Sequence, residues 1–374
     1  MWLDKLRRRF RKRHASPDRS LFARTLRYAG AIALLALAVF GAYLYWFSVT
    51  RLDPEQKIYV VAPGTTLKSF ARQLYSEKVL PDAHTLVWIA KLKGQSHGLK
   101  TGEYRFRKGI STLEILDQVM AGRVVEYPVT LVEGWTFKQF MDALNTAPRL
   151  THSLTGMKPQ QIMAMLGYPN MHPEGRFYPD TYYYSAGMSD LLILQRAFQR
   201  MEKVLDEEWS NRQSDIPIRS PDEALILASI VEKETGKPEE RPLIAGVFSH
   251  RLRIRMKLQT DPTVIYGLGD KYRGNITTQH LRQHTPYNTY VIPGLPPTPI
   301  AMPGRAALHA AVNPEKTRAL YFVSHGDGSH EFSETLEQHN QAVIKYQLKG
   351  VPKSQSRPTV SKTPAHETMR QATP

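Results

Sequence analysis

Apolar residues along the chain form one long uninterrupted run and then a series of short periodic segments. The run covers residues 28–50, and its 23 residues include no charged side chain. At about 1.5 Å per residue a helix of this length crosses a hydrocarbon core of about 30 Å. Beyond it, apolar positions recur at spacings typical of both strands and helices. The pattern therefore predicts a single N-terminal transmembrane helix followed by mixed α+β units.

The charges beside the apolar run indicate how it lies in a membrane. Residues 1–27 hold ten Lys or Arg and two Asp, which is half of the net charge of +16. Basic residues collect on the cytoplasmic side of a membrane, so we expect a basic cytoplasmic N-terminus over 1–27 and a periplasmic remainder, in the inner membrane of a bacterium. A basic stretch in this position is typical of a topology signal, which disfavours a nucleic-acid partner.

A cleaved signal peptide is the alternative interpretation of the apolar run. Signal peptides have an apolar region of about 7–15 residues and a small-residue cleavage site. This run is longer and ends in the aromatic residues Tyr43, Tyr45, Trp46 and Phe47, which favour the headgroup level. We expect an uncleaved anchor.

Residues 51–125 are predicted to form a small α+β unit. KIYVVAP is typical of a strand, and Thr66 is placed to cap a helix whose face carries Leu67, Phe70, Ala71 and Leu74. Two more helices, near His84–Leu92 and Ser111–Met120, and a strand over Gly102–Phe106 follow. The segment YVVAPGTTLKSFARQL resembles the opening of LysM glycan-binding modules, although other strand–turn–helix units produce the same pattern.

Residues 126–348 are predicted to form the larger, catalytic α+β part. A strand is expected over Tyr127–Val132, followed by a helix after Gly134, and residues 150–215 are expected to be mainly helical with an aromatic loop over Pro173–Tyr184. A second strand over Ala319–Ser324 is joined by a GDG turn to the segment at His330. Residues 349–374 have four prolines and almost no large apolar residue, so we expect a disordered tail.

Composition excludes several kinds of chemistry. The chain has no cysteine, which excludes disulfide scaffolds, cysteine zinc sites, iron–sulfur clusters and thiol nucleophiles. His325, His330 and His339 surround a glycine-rich turn, and their spacing matches no helical pair of zinc ligands. We therefore expect neither a metal nor a cofactor.

The clearest local signal is the segment Ser220–Pro238, SPDEALILASIVEKETGKP. Ser220 and Glu223 have the spacing of a capping box, and Pro221 suits the first helical position. Eight consecutive small or apolar residues follow, over Ala224–Val231, which predicts a helix buried on all sides. Two glutamates close this helix at its carbonyl end, where burial and the helix dipole both favour a protonated acid.

The two glutamates, Glu232 and Glu234, lie about 200° apart on a helix and cannot face one cleft. Glu234 continues the line of the large residues Leu227, Ile230 and Val231, so we expect it in a desolvated pocket. The alternative, favoured by the pattern alone, is that both glutamates pair with nearby lysines or arginines.

Several motifs in order resemble the YceG-like (MltG) family of membrane-anchored endolytic murein transglycosylases. They are IVEKE, LQTDPTVIYG (Leu258–Gly267), YNTY with GLPPTPIAMPG (Tyr287–Gly304) and YFVSHGDGSHEFSETLEQHN (Tyr321–Asn340). EGRFYPDTY (Glu174–Tyr182) resembles a further segment, with Arg176 where the family has an aromatic residue. The likeness runs from the anchor to residue 348, and the family's catalytic glutamate falls on Glu234.

The resemblance implies a lyase that cuts the β-1,4 bond between N-acetylmuramic acid and N-acetylglucosamine in nascent glycan strands, leaving 1,6-anhydro ends. One Glu acts first as acid and then as base. Substrate binding is expected from residues in the shared motifs: Gln259, Thr260, Asp261, Tyr266, Tyr287, Asn288, Glu174 and Asp180. The implied partners are peptidoglycan glycan strands, the inner membrane and penicillin-binding synthases.

Two other functions stay open at this point. One is a non-catalytic peptidoglycan-binding scaffold with the same fold. The other is a two-carboxylate muramidase that uses Glu234 with Asp261, although an Asp before Pro262 also fits a helix N-cap or a turn.

Overall fold

The computed structural model describes residues 19–348, which divide into two units between Val125 and Glu126. The tail predicted over 349–374, and residues 1–18 of the predicted basic N-terminus, lie outside the described residues. Each unit mixes helices with short antiparallel strand pairs, which confirms the predicted α+β class.

The first unit begins with a long helix, α1, and continues through four short strands and three helices. In chain order these are α1 Arg19–Val49, β1 Arg51–Leu52, β2 Tyr59–Val61, α2 Leu67–Ser76, α3 Ala83–Leu92, β3 Gly102–Tyr104, β4 Ile110–Ser111 and α4 Thr112–Ala121. Strand β1 pairs with β4 and β2 with β3, both antiparallel. The predicted strands and helices are therefore present, with shorter strands than expected.

Helix α2 forms where the sequence predicts it. The Thr66 side chain accepts a hydrogen bond from the Ser69 backbone N–H and closes a capping box. The four predicted face residues of α2 are all buried, and α4 is capped in the same way by Ser111 and Glu114. Local capping and a 3.6-residue period are enough to fix these helices.

Helix α1 covers residues 28–49 of the predicted transmembrane run and extends it toward the N-terminus. Its segment Ala23–Val49 is long and apolar enough to cross a membrane, and most of its side chains are exposed. Its last turns differ, because Leu44 and Phe47 are buried in the core of the first unit.

The second unit contains the remaining helices and strands. They are β5 Glu126–Thr130, α5 Phe137–Thr146, α6 Pro159–Met165, β6 Thr181–Ser185, α7 Asp190–Ser210, α8 Pro221–Glu234, α9 Arg241–Arg253, α10 Asp261–Leu268, α11 Thr278–Arg282, α12 Arg305–Val312, β7 Tyr321–Ser324, β8 His330–Ser333 and α13 Leu336–Tyr346. Strand β5 pairs with β6, and β7 with β8 across the predicted GDG turn.

One part of the predicted aromatic loop is a strand. Residues Thr181–Ser185 form β6, in which Tyr182 and Tyr184 are buried and Tyr183 is exposed. This alternation is the signature of a half-buried strand, and its pairing with β5 satisfies the backbone. The sequence does not show this two-residue period, because positions 182–184 all carry tyrosine.

Helix α8 lies at the centre of the second unit. All eight residues Ala224–Val231 are buried, as predicted, and the helix packs against α7, α9, α10 and α12. The Glu-bearing end of α8 is therefore held by the largest core of the unit.

Candidate active site

The end of helix α8 places two carboxyl groups in different surroundings. Glu232 pairs with Arg241 at 3.0 Å and accepts a hydrogen bond from the Gly304 backbone N–H at 3.0 Å. Glu234, the last residue of α8, instead accepts a hydrogen bond at Oε1 from the Thr260 hydroxyl. The two glutamates thus face different partners, as the helical angle predicts. Glu232 therefore forms the ion pair that the alternative interpretation expects. Glu234 forms no ion pair with any residue of 19–348 and is bound by a hydroxyl instead.

The surroundings of Glu234 favour its protonated form. Burial of the carboxyl raises the pKa of Glu234 to about 7, and the neighbouring charge of Asp261 acts in the same direction. The Thr260 hydroxyl and the more distant Arg251 guanidinium lower it. The residue as a whole is partly exposed to solvent, although its carboxyl group is buried. Such a group holds a proton near neutral pH and can also release it.

Thr260 is placed by its backbone rather than by its side chain. Its N–H donates to the Thr289 hydroxyl at 3.0 Å, and its carbonyl accepts from the Thr263 hydroxyl at 2.8 Å. Thr260 is the N-cap of α10, yet its side chain makes no cap hydrogen bond. The hydroxyl is therefore available to Glu234. The preceding Gln259 is exposed and has a φ of 52°, a left-handed conformation that is costly for a residue with a side chain.

The expectation that Asp261 caps a helix is wrong by one residue. Asp261 is the first residue of α10, and its Oδ1 accepts a hydrogen bond of 2.6 Å from the Tyr290 hydroxyl. Burial raises the pKa of Asp261 above its usual range, and the Tyr290 hydrogen bond opposes the shift. Asp261 is thus close enough to influence Glu234, and its own charge is disfavoured.

Arg251 is a site residue that the sequence analysis missed. It is buried on α9, and its guanidinium donates to the carbonyls of Leu320 and Leu258, both at 2.6 Å. Burial lowers the pKa of Arg251. By holding the Leu258 carbonyl, it fixes the irregular segment that leads into Gln259 and Thr260. A single basic residue among several at the end of a helix gave no sequence signal for this role.

Glu174 lies in a second polar cluster on the same unit. It is buried, its Oε1 accepts from the Phe137 N–H at 2.9 Å, and its Oε2 accepts from the Tyr266 hydroxyl at 3.1 Å. Burial raises the pKa of Glu174 to about 7. The Tyr266 ring meets Tyr287 edge-on with centroids 4.9 Å apart. Helix α10 links this cluster to Glu234, because it begins at Asp261 and carries Tyr266.

The polar atoms of two other predicted site residues are engaged by the protein. The buried Asn288 donates to the carbonyls of His280, Leu281 and Gln283, at the C-terminal end of helix α11. Asp180 pairs with Arg200 at 2.5 Å and accepts from the Thr181 N–H at 2.7 Å. These contacts stabilise the end of α11 and the start of β6.

The three histidines considered as metal ligands have other partners. His330 Nδ1 lies 2.7 Å from Glu240, His325 Nδ1 lies 2.8 Å from the Ser329 hydroxyl, and His339 stacks on Tyr321. Within residues 19–348 no group of three or more His, Asp or Glu side chains is arranged to hold a metal ion.

A cavity of about 610 Å³ lies near the other end of α8. Residues that line it include Tyr168, His172, Arg176, Asp222 and Ile226. Arg176 pairs there with Asp222 at 2.6 Å. Glu234 is not among the residues that line this cavity.

Comparison with known proteins agrees with the motifs. The model of the YceG-like family matches residues 59–345. An endolytic murein transglycosylase of Bacillus subtilis strain 168 is 29% identical over 331 residues, which cover 83% of this chain and 91% of that protein. An endolytic murein transglycosylase of Streptococcus pneumoniae strain D39 is 27% identical, over 84% of this chain and 63% of the relative.

A solved structure is similar as well. It is the crystal structure of a YceG-like protein from Listeria monocytogenes, which aligns with a TM-score of 0.50 and 29% identity. The alignment covers 78% of this chain and all of the Listeria chain.

Proposed function

Because this chain belongs to the YceG-like family, we propose that it is an endolytic lytic transglycosylase of peptidoglycan. It cleaves the β-1,4 bond between N-acetylmuramic acid and N-acetylglucosamine in nascent glycan strands and leaves 1,6-anhydro-muramyl ends. The names of the bacillary and pneumococcal relatives support the activity. The observation that carries the mechanism is the carboxyl of Glu234, whose pKa burial raises to about 7 at the end of a buried helix.

Glu234 performs both proton transfers. Its protonated carboxyl first donates a proton to the glycosidic oxygen, and the bond from that oxygen to the muramic C1 breaks. The resulting carboxylate then takes the proton of the muramic 6-hydroxyl while the 6-oxygen bonds to C1 and closes the anhydro ring. Because the two tasks are sequential, one residue with a pKa near the working pH is sufficient.

The residues around Glu234 orient its carboxyl, position the segment beside it or contact the substrate. Thr260 orients the carboxyl and stabilises the carboxylate that forms after the first transfer. Arg251 holds the segment that carries Thr260. We assign direct sugar contacts to Gln259, which is exposed beside this hydrogen bond, and to the half-buried rings of Tyr266 and Tyr287, whose hydroxyls bond to Glu174 and Thr298. Glu174, Asp180 and Asn288 shape the substrate site through the segments that they fix.

The location follows from the anchor. Helix α1 crosses the inner membrane once, with the N-terminus in the cytoplasm and the second unit in the periplasm. Glycan strands close to the membrane are then the accessible substrate, and penicillin-binding synthases that make these strands are the expected partners. Residues 51–125 act as a LysM-like glycan-binding module, a role supported by the resemblance of its opening segment.

Mass analysis of digested sacculi tests the activity. The protein should release muropeptides lighter by ~18 mass units than hydrolysis products, because no water is added in the lyase reaction. Glu234→Gln should abolish these anhydro products and leave glycan binding intact, whereas Glu239→Gln, at an exposed position beyond the same helix, should not change them. Full activity of Glu234→Gln would refute the assignment, and inactivity of the unmodified protein would favour the scaffold.

A two-carboxylate muramidase is the second candidate, because the charge of Asp261 acts on Glu234. That enzyme would give products with a reducing end and would lose all activity in Asp261→Asn. In the one-glutamate mechanism Asp261→Asn keeps anhydro products, and the loss of a neighbouring negative charge lowers the pKa of Glu234.

A further inference from the structure

Helix α3 packs along the outer part of the anchor helix α1. The ring of Trp88 meets that of Phe40 edge-on, with centroids 6.1 Å apart. Three residues further along α1, the Tyr43 hydroxyl accepts a hydrogen bond of 3.5 Å from Thr85. Position numbers rise along α1 while they fall along α3, so the two helices run antiparallel. The C-terminal end of α3 therefore points back along the apolar span.

This end of α3 presents large apolar side chains that stay exposed among the described residues. Trp88 is 48% exposed and Leu92 is 73% exposed, although Leu86 and Ile89 of the same helix are buried. Trp88 and Leu92 are four residues apart, so they share one face of the helix. On α1, Phe40 remains 44% exposed beside Trp88. The surface is thus continuous with the lipid-facing surface of the anchor.

The depth of this surface follows from the length of the span. A hydrocarbon core of about 30 Å takes about 20 helical residues. Counted from Ala23, where the apolar span of α1 begins, such a length ends near Ala42, before Leu44 and Phe47, which are buried in the core of the first unit. Phe40 then lies about 3 Å inside that end, at 1.5 Å per residue. A side chain that packs on Phe40 is therefore at the headgroup–acyl boundary, and one that lies four residues further along the antiparallel α3 is about 6 Å deeper.

A lysine beside this surface suits its boundary with water. The Lys91 ammonium lies 5.0 Å from the Trp88 ring centroid, and Lys91 is exposed. Tryptophan favours the interface because its ring is apolar and its N–H is polar, and lysine reaches from an apolar surface to headgroup phosphates.

We propose that helix α3 is a membrane-inserted element of the first unit. Trp88 and Leu92 enter the headgroup–acyl boundary of the outer leaflet, and Lys91 contacts the lipid phosphates. The inference rests on the proposed anchoring by α1. It adds that the first unit lies against the bilayer in one orientation, held at two points, and does not move freely on a stalk.

Site-directed spin labelling tests the insertion, and the absence of cysteine from the chain makes single labels simple. Leu92→Cys and His84→Cys are a matched pair, because both positions are exposed and lie on the same helix about 12 Å apart. Leu37→Cys reports on the anchor itself. The full chain is placed in vesicles of phosphatidylethanolamine and phosphatidylglycerol, and the collision rates of each label with oxygen and with a water-soluble nickel chelate are measured.

We expect the label at position 92 to resemble the one at 37, with high oxygen and low nickel accessibility, and the label at 84 to be open to nickel. Equal nickel accessibility at 92 and 84 would overturn the proposal, and so would shielding of 92 from both reagents, which indicates protein contact. If 37 were in lipid and 92 in water, only this inference would fail. If 37 itself were in water, the anchoring would fail as well.

Discussion

Removal of the Thr260 hydroxyl tests how the site controls its acid. Thr260→Val deletes the donor to Glu234 and keeps the shape of the side chain and the backbone contacts of Thr260 with Thr289 and Thr263. A hydrogen bond to a charged group contributes about 1.5–3 kcal/mol. Because one pKa unit corresponds to about 1.36 kcal/mol, the pKa of Glu234 should rise by about one to two units from its value of about 7.

The pH dependence of kcat/KM measures this shift. The first step needs protonated Glu234, so activity should fall as the pH rises through the pKa of Glu234. In Thr260→Val the alkaline limb should move to higher pH by about one to two units, and Thr260→Ser, which keeps the donor, should leave it in place. An alkaline limb that stays or moves to lower pH in the valine variant would refute the role given to this hydrogen bond.

Three further substitutions test the energetics of the second unit. Glu234→Gln should gain about 3 kcal/mol of stability relative to the unmodified protein between pH 4 and pH 8, because the unfolded glutamate ionises near 4.5 and the folded one only near 7. Gly246→Ala should destabilise the protein by about 1–3 kcal/mol, since the new Cβ would lie 2.3 Å from the Glu315 carbonyl oxygen. Arg241→Ala should cost roughly 3–5 kcal/mol, because it leaves the buried Glu232 carboxylate without its cation.

Urea unfolding of the full chain, followed by fluorescence, measures all three changes. Arg253→Ala is the control for Arg241→Ala, because Arg253 lies on the same helix and pairs with the exposed Asp215, an interaction expected to contribute about 0–1 kcal/mol. A pH-independent difference for Glu234→Gln would contradict the raised pKa. Unchanged stability of Gly246→Ala would contradict the close approach of α9 to residue 315.

The sequence by itself determined the features that depend on near neighbours in the chain. The Thr66 cap, the period of α2 and the continuous apolar segment of α8 are local patterns, and each predicted element is present. The separation of Glu232 from Glu234 is also local, because it follows from the helical angle alone. These features need no knowledge of the partners that the helices meet.

Tertiary structure decided which groups surround Glu234. Thr260 and Glu234 are 26 residues apart, and Arg251 and Leu320 are 69 apart. No periodicity links such positions, because the contacts arise where α8, α9 and the start of α10 pack together. The same holds for strand β6, whose partner β5 lies about fifty residues earlier in the chain.

The sequence therefore supplied a buried helix that ends in a carboxyl group, and the packing of distant segments set the proton affinity of that group. A pKa depends on desolvation and on charges within a few ångströms, and both are properties of three-dimensional distance rather than of order along the chain.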